Sequence, residues 1–467
     1  MFDSGAIVSL YTKYGFEVED ETHPSLYLAF SHSSGYFQNA EILLIDPEFD
    51  CETLEKEYKD AGFSVKVSKF LGIEQLHERL FDGFFAPESN YRSLRREYDR
   101  YTKKQTEKIG FANYKFIQCR FVDDNNEPQK NLIEYIYNRL FLQGAQLIIV
   151  EAAAGFGKTS VSYELRKKLA DEPQGTIPII TELSKNRTAS IFRYVLLSEI
   201  DSKFSGLNSE LVTYEIKQGR IPLIIDGFDE LLSKSHDDVQ QNLNDEDEKT
   251  AQTMLSTIAQ LLDQNSKAKI VLTSRKSSIF AGDLFEKWSD KYLPSCQITR
   301  IQIIPPVASD WLDMAKINIL KSRGIVFDDI SNPTLLTFLS AQSNEDILSE
   351  FTSVDSILTQ YFNILLEREK ERQSLPLKVE EQLALMEKVA GTMASFKQST
   401  CTNTEMKDII QMSLEDELSN YLNRYSMFPE NDVPTEGEFL QKLAHHALLD
   451  RIPNTSNLIG FINDFIF

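Results

Sequence analysis

Residues 147–160 read LIIVEAAAGFGKTS, and the fold turns on how this stretch is read. Leu147, Ile148, Ile149 and Val150 form an unbroken apolar run, the pattern of a strand buried on both faces within a parallel sheet. The run gives way to Ala152, Ala153, Ala154, Gly155, Phe156 and Gly157, where the small side chains let the backbone curl with its N–H groups pointing inward. Lys158, Thr159 and Ser160 then open a helix. A loop of this kind cradles phosphate. Lys158 reaches the β- and γ-phosphates, the Thr159 hydroxyl holds Mg²⁺, and the helix presents its positive end to the anion. Ala152 stands where the first glycine of G-x-x-x-x-G-K-T usually falls.

Two further strand ends complete the chemistry. Residues 221–232, IPLIIDGFDELL, read as a second buried strand ending at Asp226, with Asp229 and Glu230 just beyond. Mg²⁺ needs hard oxygen ligands, which Thr159 and Asp226 supply, and an attacking water needs a carboxylate to position it, the role expected of Asp229 or Glu230. Residues 269–275, KIVLTSR, read as a third strand tipped by a polar cluster and one cation, Arg275, placed to neutralise charge on a γ-phosphate.

These segments, AxAGxGKT at 152–159, DGFDE at 226–230 and LTSR at 272–275, together resemble the NACHT family of signal-transducing P-loop ATPases. The IPI segment at 177–179 and NPTLL at 332–336 resemble further pieces of that family, in which the proline corresponding to Pro333 packs on adenine. The resemblance covers residue 109 to the end. It implies an α/β fold: a P-loop three-layer αβα NTPase core, C-terminal helical and winged-helix domains, and a small N-terminal α/β domain outside the resemblance. It also implies an adenine-nucleotide switch using ATP or ADP with Mg²⁺, hydrolysing slowly and self-assembling when a trigger, such as a phage protein, is sensed. Activation of an effector in prokaryotic antiviral defence is implied by the resemblance alone.

Composition narrows the remaining classes. The chain has 467 residues, 42% apolar and 26% charged, enough for about three soluble domains. A net charge of -22 disfavours general attraction to nucleic acid, and no apolar run is long enough to cross a bilayer, so a cytoplasmic location is expected. The four cysteines, Cys51, Cys119, Cys296 and Cys401, have no paired spacing and read as free thiols.

Domain boundaries follow the changes in pattern. Residues 1–86 alternate helix and strand, 87–110 form a charged linker helix, 111–308 carry the NTPase core, 309–398 are helical with one helix expected over 311–321, and 399–467 are winged-helix-like. The opening KYGFEVED at 13–20 resembles restriction-endonuclease-like domains. Asp46 and Lys66 are the available members of a metal triad, but Ser64 occupies the acidic place of its E-x-K element, so a non-catalytic interaction domain is expected; an ATP-gated nuclease and a non-hydrolysing scaffold are the alternatives. His23, His32 and His77 lack ligand spacing. In 87–110, Tyr91, Leu94, Tyr98 and Tyr101 recur at helical spacing, so the helix docks by its tyrosines, and the arginines between them are diluted by Glu97, Asp99 and Glu107. Residues 233–250 read as an acidic solvated loop. Near the end, Asn463 occupies the place of the family's nucleotide-sensing histidine, with His445 and His446 as structural or nucleotide-contacting alternatives. Phe467 ends the chain inside an apolar run where relatives continue, so a truncated fragment is expected.

Overall fold

The computed structural model describes residues 3–34, 37–109, 114–124, 127–153, 156–183, 192–228, 255–274, 283–324, 333–343, 354–396, 398, 400–414, 417–425, 434–451 and 458–461. These fall into two units, Met1–Arg92 with Phe204–Tyr214, and Ser93–Lys203 with Glu215–Phe467.

The first unit is a four-stranded sheet: α1 (Ser4–Lys13), β1 (Glu17–Asp20), β2 (Tyr27–Ser34), β3 (Phe37–Leu44), α2 (Glu52–Asp60), β4 (Ser64–Lys69) and α3 (Ile73–Phe85). Strands lie in sequence order, the first three antiparallel and β4 parallel to β3 because α2 carries the chain back. Alternation divides the sheet by face. Tyr27, Ala29, Ile42 and Leu44 pack with Leu54 and Tyr58 of α2, whereas Phe30 stacks on Tyr11 of α1, with ring centroids 3.8 Å apart. Glu41 of β3 is buried, accepts from the Ser68 hydroxyl and pairs with Arg79 of α3 at 2.6 Å. Arg79 also donates to the Tyr11 hydroxyl at 2.8 Å. The unit reaches beyond the stretch 1–86 expected from sequence. Phe204 meets Phe85 edge-on at 5.3 Å, and Tyr214 packs against His77 and under Lys13.

Of the residues weighed for a metal triad, Lys66 is the register partner of Glu41, and Asp46 lies two residues beyond the end of β3. Lys66 and Ser64 are exposed, Asp46 caps the turn at Glu48, and among the described residues no three His, Cys, Asp or Glu side chains are grouped to hold a metal.

A long helix, α4 (Pro87–Ile109), starts among residues of the first unit and ends in the second. The second unit's sheet is built from β5 (Phe121–Val122), β6 (Gln146–Glu151), β7 (Ile179–Glu182), β8 (Leu223–Asp226), β9 (Lys269–Ser274) and β10 (Gln297–Ile303). The spatial order is β5-β10-β6-β9-β8-β7, and every neighbouring pair is parallel except β5 with β10. Helices α5 (Leu132–Leu140), α6 (Lys158–Asp171), α7 (Phe192–Lys203), α8 (Ser209–Lys217) and α9 (Asp283–Tyr292) lie between strands in sequence. Ile148, Val150, Ile224, Val271 and Ile301 pack against Ile133, Ile136, Val161 and Leu165 of α5 and α6. Leu147, Ile149, Leu223, Ile225, Ile270 and Leu272 point the other way and are equally buried, so both faces are covered. Full burial of each such side chain is worth about 1.5–3 kcal/mol, which is why the sequence here is uniformly apolar rather than alternating. This is the P-loop αβα sandwich.

The rest is helical, then winged. Helices α10 (Ala308–Trp311), α11 (Met314–Ser322), α12 (Pro333–Ala341), α13 (Val354–Gln373) and α14 (Val379–Ser395) precede β11 (Thr400–Thr402), α15 (Asn403–Leu414), α16 (Glu417–Tyr425), α17 (Glu436–Ala444), β12 (Leu449–Arg451) and β13 (Leu458–Phe461). The sheet order β11-β13-β12, antiparallel throughout, with helices before β12, is a winged-helix arrangement. One apolar cluster runs from Leu312 to Ile459 through both parts. The single helix expected over 311–321 is two: the chain extends at Leu312, and the Asp313 side chain caps a new helix by accepting from the Lys316 N–H at 2.8 Å. His446 is fully buried, its ring bonded to the Gln382 side chain and the Leu448 N–H, and the ring of the half-buried His445 bonds the Gln441 carbonyl. Asn463 and the loop 233–250 lie outside the described residues.

Candidate nucleotide site

The carboxyl ends of β6, β9 and β8 lie side by side, and the expected site gathers there. Ala152 adopts ordinary backbone angles, is fully buried, and donates its N–H to the Ser274 carbonyl at 3.1 Å, so its methyl group fits where a glycine is usual. The chain then turns, with Phe156 N–H donating to Ala153, and reaches Gly157. Gly157 caps α6 at φ 80°, a left-handed conformation that an L side chain rarely adopts. Gly157 has no side chain with which to cap α6, and a helix N-terminus begun in this way is suited to an anion. Lys158 folds back, its Nζ donating to the carbonyls of Ala152 at 2.8 Å and Ala153 at 3.1 Å. Phosphate oxygens would compete with those carbonyls for the same ammonium protons.

Thr159 sits on the first turn of α6, and its hydroxyl donates to Asp226 Oδ2 at 2.7 Å. The other carboxylate oxygen, Oδ1, accepts from Thr273 at 2.7 Å and Ser162 at 3.0 Å. Thr273 in turn receives the Gly227 N–H at 3.0 Å, and Gly227 at φ 77° turns the chain away from β8. Asp226 is thus a buried carboxylate on three hydroxyls, with no cation beside it among the described residues. Burial pushes its carboxyl above the ordinary range, against the pull of those three hydroxyls, and the nearby Glu182 adds to the rise. A divalent cation would supply the missing positive charge. The donors fit Mg²⁺: two hard oxygens, one from the first turn of α6 and one from the end of β8, already in contact beside a helix N-terminus suited to phosphate. Ser274 Oγ, at the tip of β9 between them, is buried without a hydrogen-bond partner.

Neighbouring carboxylates are differently engaged. Glu151, the last residue of β6, is paired with Arg300 at 2.6 Å. Glu182, register partner of Asp226, accepts from the Tyr163 hydroxyl at 2.5 Å. Asp229, Glu230 and Arg275, expected to position water and sense the γ-phosphate, lie outside the described residues, as do Ala154 and Gly155. Pro333 begins α12 and is buried. Ser162 was not singled out from sequence, although three residues after Thr159 it shares the same face of α6. Tyr101, whose hydroxyl lies 2.8 Å from Ser160 Oγ, carried no such signal.

A mostly parallel sheet with a glycine-capped helix after its central strand, and an aspartate two strands away bonded to that helix's threonine, is the arrangement of P-loop nucleotide-binding proteins. In comparison with known families, residues 6–124, roughly a quarter of the chain, fit the family described as NACHT-associated inactive Restriction Endonuclease 2. No curated protein matches. Among solved structures, the chain is similar to Cdc6p from Pyrobaculum aerophilum, at 12% identity over 75% of this chain and 96% of that one, with a TM-score of 0.25. It is similar also to the Aeropyrum pernix ORC1 protein in complex with DNA, at 12% identity over 72% and 89%, TM-score 0.33. A third is Drosophila ORC bound to DNA, at 12% identity over 72% and 82%, TM-score 0.29.

Proposed function

We propose that this chain is a nucleotide-dependent switch of the NACHT type, which binds ADP or ATP with Mg²⁺ at the β6–α6 loop and hydrolyses ATP slowly. The observation that carries this reading is the Thr159–Asp226 contact: an oxygen from helix α6 and one from strand β8 meet at 2.7 Å, and among the described residues the buried acid has hydroxyls and no cation beside it.

Each residue has a definite task. The N–H groups of the α6 first turn and Lys158 bind the β- and γ-phosphates, Lys158 leaving the carbonyls of Ala152 and Ala153 to do so. Thr159 and Asp226 hold the metal, which supplies charge neutralisation at the phosphates. Asp229 or Glu230 orients the attacking water, and Arg275 neutralises charge developing on the γ-phosphate; these three roles rest on sequence. Pro333 packs on adenine. ADP holds the helical and winged regions closed on the sheet, and exchange for ATP after a trigger is sensed frees them for self-assembly. The N-terminal unit then serves as a non-catalytic interaction module, in keeping with the description of the family it matches. Antiviral defence is the setting this combination fits.

Acid extraction of the purified protein followed by chromatography tests the reading. Stoichiometric adenine nucleotide from the parent chain, and none from Lys158→Ala, is the expected result. A parent chain that carries none and binds neither ADP nor ATP with Mg²⁺ would overturn it.

A further inference from the structure

Helix α4 lies antiparallel along α6, the helix that follows the phosphate loop, and the pairing continues over its length. At one end Arg95 donates to the Asp171 carboxylate at 3.0 Å and to the Ala170 carbonyl at 2.6 Å. Midway, Glu97 pairs with the buried Arg166 at 2.7 Å, and Tyr98 donates to Glu164 at 2.5 Å. At the other end Tyr101 stacks on Tyr163, centroids 3.9 Å apart and planes 8° from parallel, and its hydroxyl lies 2.8 Å from Ser160 Oγ. Ser160 is one residue from Thr159, on the turn of α6 that faces the phosphate site.

We infer that Tyr101 is a positioning residue of the nucleotide site: it ties down the first turn of α6 through Ser160, so that nucleotide binding and the docking of α4 strengthen each other. The inference rests on the nucleotide reading above. Either hydroxyl of this pair can be the donor; with Tyr101 donating, the Ser160 O–H is left to point toward an anion, and hydrogen bonds in such a chain polarise and strengthen one another. By thermodynamic reciprocity, a nucleotide that stabilises this turn must also stabilise α4 on α6, and whatever loosens α4 must weaken nucleotide binding. Because α4 is continuous with residues counted in the N-terminal unit, it is the segment through which site occupancy would be read.

Tyr101→Phe is the informative variant, because it keeps the ring stacked on Tyr163 and removes only the hydroxyl. In the full-length protein, the Kd for a fluorescent ADP analogue with Mg²⁺ should rise roughly three- to tenfold, the effect of one lost hydrogen bond. Ser160→Ala should do the same, and the double variant should be no weaker than either single one. Arg95→Ala, at the far end of the pairing, should lower the melting temperature and, by the same reciprocity, raise Kd, by less than Tyr101→Phe does. Hydrogen exchange supplies a readout that mere packing would not move: nucleotide should increase protection of 93–109 in the parent and not in Tyr101→Phe. An unchanged Kd and undiminished protection in Tyr101→Phe, with the parent binding normally, would overturn the inference alone. A parent that binds no nucleotide would overturn it together with the nucleotide reading.

Discussion

Two buried acids on strands of the two units, Glu41 and Asp226, separate structure from chemistry. Glu41 is met by a guanidinium: Arg79 lies at 2.6 Å and Ser68 adds a hydroxyl, so its charge is neutralised within the fold. Among the described residues Asp226 is met by three hydroxyls, from Thr159, Ser162 and Thr273, which satisfy its lone pairs and bring no positive charge to it. A buried carboxylate that is hydrogen-bonded but not neutralised is costly unless something positive completes it. The first acid stabilises a sheet; the second leaves a place for a cation next to a helix N-terminus.

Breaking the cradle should produce the largest effect. Lys158→Ala should weaken binding of ADP and ATP at least a hundredfold in equilibrium titration, with little change in the melting temperature of the nucleotide-free protein. Arg79→Met should have the opposite profile. Stranding Glu41 costs about 2–4 kcal/mol, visible in denaturant unfolding of the N-terminal unit, and nucleotide affinity should stay at the parent value. Glu41→Gln combined with Arg79→Met should recover most of that loss, because no uncompensated charge is left behind.

Asp226→Asn sharpens the comparison through pH. Burial raises the folded-state value above the ordinary 3.8, so the stability linked to this carboxyl is fully present below about pH 4 and is lost as pH rises through the raised value. The asparagine variant should therefore melt higher than the nucleotide-free parent at neutral pH, with a flatter profile above about pH 4. It should also lose the stabilisation that Mg²⁺ with nucleotide gives the parent. The smallest expected effect is none: Asp46→Asn and Lys66→Ala should leave thermal stability and nucleotide affinity unaltered, and the parent chain should not cleave DNA in the presence of Mg²⁺ and ATP.

The core was legible because its signals are local. Leu147, Ile148, Ile149 and Val150 are apolar in a row since both faces of β6 are covered, and the glycine at 157 is demanded by one backbone angle. The strand ends at Asp226 and Thr273 announce the site for the same reason. What escaped depends on partners distant in sequence. Tyr101 reads as one more docking tyrosine until Ser160, 59 residues later, is found beside it. Nothing near Glu41 in sequence marks its partners, since Ser68 and Arg79 come from β4 and α3. Residues 204–214 carry no local mark of belonging with the N-terminal unit, since the match lies in Phe85, His77 and Lys13. The break before Met314 turns on a single capping aspartate inside an otherwise helical pattern.

The central claim, that Asp226 and Thr159 await a metal-bound nucleotide, is met most directly by titrating the parent and Asp226→Asn with a fluorescent ADP analogue, with Mg²⁺ and with EDTA. Expected is binding by the parent that tightens at least tenfold with Mg²⁺, and binding by Asp226→Asn that is the same in both conditions. Parent affinity indifferent to Mg²⁺, or an Asp226→Asn variant that responds to it as the parent does, contradicts the claim.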